Sequence, residues 1–384
     1  MTEKFAATSA AAKSGQPERI AQVLGDASFG GVIVWLMNFF RNIDRTKFLF
    51  DFYMYAPSPF DDEIRALGGR VFYYPRVTDV FGAYGTLKKA FRDNGYSTVH
   101  VHMTTLSFVA LAAAKSAGVP RRICHSHSTA NPHEGWKYAV KMLIRPLPKL
   151  FATDLAGCSE LAIRWLYGAK CADKATLVHN AVDLDRYRVS DGYAVEAKKR
   201  LGLSGRKVIG FAGRFERQKN LPWLIDVFAE VAGRRDDAVL ILAGAGSEKQ
   251  MLLRRAEEKG VADKIFFLGK VDEVKALYAA MDVFVLPSLF EGLPLVAIEA
   301  QAAGLFCLMS DNITREAAVT DNCAFLPLDD VNEWADAVLA VLGAARQYDG
   351  AAALEGGPYD IKAEAHRLEE LYSGAPVRGG GGNE

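Results

Sequence analysis

Short apolar runs alternate with amphipathic stretches from one end of the chain to the other. In the first half, the runs at 19–24, 50–55, 71–74, 98–102, 121–125 and 153–157 read as strands. Stretches with helical spacing lie among them, as at 106–117, and another follows at 159–166. The same grammar restarts at Lys207–Ala212 and runs through 239–243, 265–268, Val283–Leu286 and 306–309, again with helices between. Strands alternating with helices imply parallel sheets, and the restart implies two α/β units in tandem. The joint is expected within 183–190, after His179-Asn180 and before the charged helix 196–200. A final helix, 361–372, follows a Gly/Pro break at 356–358. No short-period repeat is present, which argues against solenoids and propellers.

Length agrees with two units: 384 residues, half of them hydrophobic, exceed what one core comfortably holds. Lys+Arg and Asp+Glu stand at 46 each, so nothing in the net charge calls for nucleic acid, and any capture of anions must come from local patches. The five cysteines include no C-x-x-C pair, which fits packed thiols in a reducing compartment instead of a disulfide framework or zinc site. The Ala/Ser-rich start lacks the apolar core of a signal peptide, and no run approaches the ~20 apolar residues of a membrane span. A cytoplasmic protein is expected, with disordered ends at 1–17 and 375–384.

Ligands of open parallel sheets sit beyond the carboxyl ends of the strands, where amides and helix N-termini face anions. Four places suit a phosphate. Gly30-Gly31 follows the opening strand and precedes a helix at 32–40, and glycine lets backbone approach a ligand. Gly244-Ala245-Gly246 resembles half of a dinucleotide fingerprint but lacks the third glycine. Gly213-Arg214, with Lys219 beyond, puts two cations at a strand end, one able to grip two oxygens and one a point charge. Finally, Ser288 to Pro294 leads into an apolar helix at 295–303. Glu291 lies in that loop. Glu299 lies within the helix among Val296, Ala297, Ile298, Ala300 and Ala302, where a carboxylate is costly without partners such as ligand hydroxyls.

Taken together, Gly213-Arg214 with Lys219, Phe267-Leu268-Gly269, the run 282–287, Glu291 and Glu299 at E-x7-E spacing, and His179-Asn180-Ala181-Val182-Asp183 resemble the retaining glycosyltransferases of family 4. The bacterial exopolysaccharide and capsule branch is the nearest in character. The resemblance spans roughly residues 18–372 and implies the GT-B architecture, two Rossmann-like parallel-sheet domains facing across a cleft. It implies an acceptor domain at 18–186, a sugar-donor domain at 187–359, and a C-terminal helix at 360–374 crossing back to the first domain.

Position by position, the resemblance implies that Arg214 and Lys219 neutralise the diphosphate of a nucleotide-sugar, with Gly31 and Gly213 bringing backbone against it. Glu299 would hold the ribose hydroxyls and Glu291 those of the sugar, with the amides of Gly292 and Leu293 assisting. The main chain at 269–271, including Val271, would read the base; a UDP-sugar is the family-level expectation. His125 matches the family's histidine near the anomeric carbon, with His127 and His102 as alternatives. No metal and no other cofactor is expected, and Asp183-Leu184-Asp185 is read as linker. Val32-Ile33-Val34 stand where family members often carry Glu, which bears on acceptor contacts.

The segment 136–151 mixes Lys and Arg with aromatic and large apolar residues and suits an interfacial helix on anionic lipid. The expected acceptor is a saccharide, lipid-linked through polyprenyl diphosphate, placing the protein at the inner face of the plasma membrane. A nucleotide-sugar epimerase or hydrolase on the same fold, or a catalytically silent nucleotide-sugar-binding subunit, are the alternatives.

Overall fold

The computed structural model describes residues 15–27, 31–128, 135–271, 273–344, 346 and 349–374. The chain forms two compact units, one of 1–181 with 361–384 and the other of 182–360.

The first unit is built on a seven-stranded sheet of β1 (Glu18–Val23), β2 (Phe48–Met54), β3 (Arg70–Tyr73), β4 (Thr98–Val101), β5 (Arg121–Ser126), β6 (Asp154–Gly157) and β7 (Thr176–Leu177). Its order is β3-β2-β1-β4-β5-β6-β7, and every pairing is parallel. The sequence reverses direction across the sheet between β1 and β4. Apolar side chains form two clusters. One gathers the helix Gly31–Asn42 and the C-terminal helix Ile361–Ser373, and the other gathers the helix Ser107–Ser116. The C-terminal helix joins the first cluster through Ile361, Ala365, Leu368, Leu371 and Tyr372. Its last turn is tied down by Arg121, whose Nη1 donates to the Tyr372 carbonyl at 2.8 Å.

The second unit carries β8 (Lys207–Ala212), β9 (Ala238–Ala243), β10 (Ile265–Gly269), β11 (Val283–Leu286), β12 (Phe306–Ser310) and β13 (Cys323–Leu326) in the order β10-β9-β8-β11-β12-β13. These pairings are parallel too. Strand β9 is apolar throughout, as befits a parallel strand covered on both faces: all six of its residues are buried. The direction of strand addition reverses between β8 and β11.

The expected boundaries need correction at both crossings. The first falls at Ala181–Val182 rather than at 186–187. Val182, Leu184, Tyr187 and Val189 are buried in the second core, and the amide of Val182 donates to the Tyr359 carbonyl at 3.0 Å. The return falls at Asp360–Ile361 rather than at 359–360. The charged helix begins at Asp191, well before the expected 196, because Ser190 caps it by accepting from the Tyr193 amide. Strands β7 and β13 were not expected; β7 is two residues long and β13 is half-buried along its length. The segment 136–151 is two helices, Trp136–Ile144 and Leu147–Phe151, because Pro146 cannot continue the first.

Candidate functional site

In the second unit the loops after β8 and β11 emerge from neighbouring strands at the reversal of strand order, the place where open α/β sheets bind ligands. Side chains and backbone stitch them together. The Leu289 amide donates to the Gln218 carbonyl at 2.8 Å, and Gln218 Nε2 donates to the Phe290 carbonyl at 2.9 Å and to Glu291 Oε2 at 3.0 Å. Lys219 Nζ meets Glu291 Oε1 at 2.5 Å, and Ser288 Oγ donates to the same oxygen at 2.7 Å. This pair is largely withdrawn from water, with side-chain exposures of 14% and 8%. Asn220 takes the left-handed conformation that asparagine tolerates, which turns the chain after Lys219 into the helix Leu221–Arg234. Lys219 and Glu291 are thus brought into one knot, while Arg214 stays outside it. Its side chain is 72% exposed, and its guanidinium pairs with Glu216 Oε1 at 3.0 Å. Gln218 was missed at the level of sequence, and Ser288 was singled out only as the start of its loop. A glutamine beside an expected cation carries no distinguishing signal.

The glycines of 244–246 have a structural explanation that replaces the dinucleotide reading. A Cβ on Gly244 would stand 1.8 Å from the Gly213 carbonyl oxygen, and one on Gly246 would stand 2.2 Å from the Phe215 carbonyl oxygen. Glycine therefore lets the loop after β9 pack backbone-to-backbone against the loop that carries Arg214. Three hydrogen bonds run along this seam: Gly213 N to Ala243 O at 2.9 Å, Phe215 N to Ala245 O at 3.0 Å and Glu248 N to Phe215 O at 3.1 Å. The Gly213 and Gly244 backbones both lie at positive φ, +152° and +142°.

Glu299 sits on the helix Leu295–Ala302, whose cap is Pro294. The protein itself supplies the partners that the apolar setting demands: Tyr278 Oη donates to Glu299 Oε2 at 2.7 Å. Burial raises this carboxyl above its ordinary range, while the Tyr278 and Tyr187 hydroxyls and Arg186 pull the other way. Gly292 is exposed, whereas Leu293 and Val271 are half-buried against the core. Asp183 caps the short turn Leu184–Arg186, and Asp185 pairs with Arg188 at 3.5 Å.

In the first unit Gly31 opens its helix, exposed, and a Cβ there would meet nothing within 4 Å. Its neighbour Gly30 lies outside the described residues. Four histidines gather at the reversal of this sheet. His100 is in β4 and His125 in β5; His102 and His127 follow two residues on, and so face the same side. Their nitrogens pair off, His100 Nε2 with His125 Nδ1 at 3.1 Å and His102 Nδ1 with His127 Nε2 at 2.8 Å. Trp35 lies edge-on to His125 and His127, with ring centroids 4.8 and 5.0 Å away. Burial, and for three of the four the neighbouring imidazoles, push all of them down, His127 to about 3 and the others well below the ordinary value. All four are neutral at physiological pH. Among the described residues, His125 Nε2 is buried without a partner, which costs about 1–3 kcal/mol unless one is supplied.

Among the described residues, one group is close enough to hold a metal ion: His100, His102 and His125, with ligand atoms within 4.8 Å of one another. Their hydrogen bonds to one another and to Tyr372, Gln22 and His127 would have to break for a metal to enter. Beyond the carboxyl ends of β4 and β5 lies a cavity of about 190 Å³ lined by Met103, Thr104, Thr105, Leu106, Ser128, Lys141 and Trp165.

Two parallel-sheet units, each with polar groups gathered where strand order reverses, define the GT-B class of sugar-transferring proteins. Family comparison agrees: residues 29–186 match the model for glycosyltransferase family 4, and residues 206–344 match the model for glycosyl transferases group 1. EpsF of Bacillus subtilis (strain 168), a protein named as a glycosyltransferase, is 35% identical over 342 residues, covering 86% of this chain and 89% of that protein. The chain belongs to glycosyltransferase family 4. The Escherichia coli UDP-Gal:alpha-D-GlcNAc-diphosphoundecaprenol alpha-1,3-galactosyltransferase is 27% identical over 271 residues, covering 67% of this chain and 69% of its own. Among solved structures, Anabaena Alr3699/HepE in complex with UDP superposes with a TM-score of 0.77 at 17% identity, over 93% of this chain and 100% of that one.

Proposed function

We propose that this glycosyltransferase moves a sugar from UDP to a saccharide carried on polyprenyl diphosphate, retaining the anomeric configuration and using no metal, in the synthesis of a cell-surface glycan. The observation that carries the reading is the knot of Lys219, Glu291, Gln218 and Ser288 between two loops at the reversal of the second sheet. Two relatives support the chemistry: HepE has been crystallised with UDP and with UDP-glucose, and the galactosyltransferase is named for a UDP-sugar and a diphosphoundecaprenol acceptor.

Cleaving a glycosyl–phosphate bond puts negative charge on the departing diphosphate and positive charge on the sugar. Lys219 carries three donors, so it can keep Glu291 and still meet a phosphate oxygen. Arg214, held among the described residues by a local surface pair, is available to swing onto the same group. Glu291, positioned by three donors, accepts from sugar hydroxyls. Glu299 has lone pairs beyond those that Tyr278 and Tyr187 use, enough for ribose hydroxyls. Charges aimed at the leaving group act more strongly as the bond breaks than before it. With the cations in this role, the sugar-donor phosphate is the base that takes the acceptor proton on the same face.

A thermal-shift panel of nucleotide-sugars followed by transfer to a lipid-linked saccharide tests this. UDP-sugars are expected to raise the melting temperature, with stabilisation of about 2.7 kcal/mol at a hundred times Kd. Equal silence from every uridine, guanosine and adenosine diphosphate sugar would dismiss the reading. Release of free sugar without transfer would point to a hydrolase instead.

The acceptor's lipid gives the exposed face of Trp136–Ile144 a role. Trp136, Val140 and Leu143, spaced as one helical face, are open to solvent, at 74% and 79% for the outer two, and Leu150 adds to them. Lys149 is not simply solvated, since its Nζ donates to the Tyr167 carbonyl at 2.9 Å. Apolar insertion therefore contributes most of the membrane affinity in this reading. No helix among the described residues is long and apolar enough to cross a membrane. The protein is expected to float with anionic liposomes, and Trp136→Ser with Leu143→Ser to stay at the bottom of the gradient. Wild-type protein that remains there at low salt would remove the membrane from the account.

A further inference from the structure

Between the two histidine pairs stands one amide. Gln22, in β1, offers Nε2 to the Tyr372 hydroxyl at 2.8 Å and Oε1 to His102 Nε2 at 2.9 Å. The same hydroxyl lies 2.8 Å from His100 Nδ1. Gln22 and Tyr372 are both buried, and Tyr372 reaches the sheet from the C-terminal helix.

We infer that Gln22 and Tyr372 set the tautomers of all four histidines, so that His125 meets its ligand as a hydrogen-bond donor through Nε2 while His127 presents a bare Nδ1. An amide oxygen only accepts, so His102 must carry its proton on Nε2. Its Nδ1 is then bare and accepts from His127 Nε2, which leaves His127 Nδ1 unprotonated. On the other branch, the amide nitrogen only donates. The Tyr372 hydroxyl accepts from it and spends its single proton on His100 Nδ1. His100 therefore donates from Nε2 to His125 Nδ1, and the His125 proton lies on Nε2, the buried nitrogen that has no partner among the described residues. Every step requires neutral rings, and burial keeps them so. Reversing the amide would exchange both ends together. The two ends are thus always of opposite polarity, because one side chain sets both.

The inference rests on the proposed sugar transfer for its consequence. A protonated His125 Nε2 cannot take the acceptor's proton; it donates to an oxygen of the bound sugar or acceptor. Gln22 and Tyr372 touch no substrate and are positioning residues. Trp35, edge-on to two of the rings, keeps the imidazoles from turning.

Long-range ¹H–¹⁵N correlation spectra of histidine-labelled protein read the tautomers directly, and the wild-type spectrum needs no variant to fold. Protonated Nε2 on all four rings is expected. A bare Nε2 on His125 overturns the assignment, and a shared polarity of the two free ends overturns the control by Gln22. Tyr372→Phe should release His100 and His125 into mixed tautomers and leave His102 and His127 unchanged; Gln22→Met should release all four. Identical spectra in Tyr372→Phe and wild type would exclude the hydroxyl's part. In transfer assays Tyr372→Phe should lose kcat by about tenfold to a hundredfold with KM for the sugar nucleotide nearly kept, as for a slightly misplaced group. Mixed tautomers with undiminished kcat would end the catalytic consequence while sugar transfer itself survives. Wild-type protein that transfers no sugar would refute the reaction and His125's part in it, with the tautomers still judged by the spectra.

Discussion

Arg214→Ala is expected to lower the rate of sugar transfer about a hundredfold to a thousandfold, the usual cost of losing one group aimed at developing charge. The melting temperature should hardly move. Arg214 is exposed, and its one ion pair among the described residues, with Glu216 two residues away, is of a kind worth about 0–1 kcal/mol. Lys219→Ala should lose as much activity for the same reason but also stability. The side chain of its partner Glu291 is only 8% exposed and, among the described residues, would keep Ser288 and Gln218 as donors but no cation. Breaking a buried pair on one side costs about 3–5 kcal/mol, reduced here by those two hydrogen bonds. Steady-state kinetics beside thermal unfolding separate the two. Near-normal turnover in Arg214→Ala would take the guanidinium out of the reaction, and an unfolded Arg214→Ala would show that its role is structural.

Gly244→Ala should be among the most damaging single-methyl changes in the second unit. The added carbon would lie 1.8 Å from the Gly213 carbonyl oxygen, which is backbone and cannot rotate away. At φ +142° the new side chain is also strained where it stands. Strained backbone costs about 1–3 kcal/mol, and overpacking about 1–3 kcal/mol more. Relief would have to come from moving the loop after β8, so activity should fall with stability. Gly233→Ala is the control, since a Cβ there meets nothing and the position is helical. That change should stabilise by about 0.5–1 kcal/mol. Chemical unfolding of both variants checks the pair, and equal stability of Gly244→Ala and wild type would contradict the packing account.

The architecture was legible because each unit obeys a local rule repeatedly. Runs such as Ala238–Ala243 are apolar from end to end and are punctuated by helices, which only a covered parallel sheet explains. What escaped was short or depended on distant partners. Strand β7 has two residues, too few to leave a pattern. The boundary at Ala181–Val182 turns on which core takes Leu184 and Tyr187, and both are apolar in either case. Gly244 and Gly246 carried a misleading signal. They looked like a phosphate loop in sequence, whereas their nearest atoms belong to the backbone at Gly213 and Phe215.

The candidate site divides in the same way. Sequence alone determined that Lys219 follows one strand and Glu291 another, that Glu299 lies eight residues further along an apolar helix, and that histidines recur two apart at two strand ends. Those facts are local, set by spacing along a chain whose strands and helices have fixed periods. Tertiary structure alone decided that Lys219 pairs with Glu291, that Tyr278 answers Glu299, and that Gln22 and Tyr372, 350 positions apart, share one hydrogen bond. The physical reason is that a hydrogen bond depends on distance in space and on which atom holds the proton. Neither is written in the order of residues until the sheet has brought β1, β4 and β5 side by side.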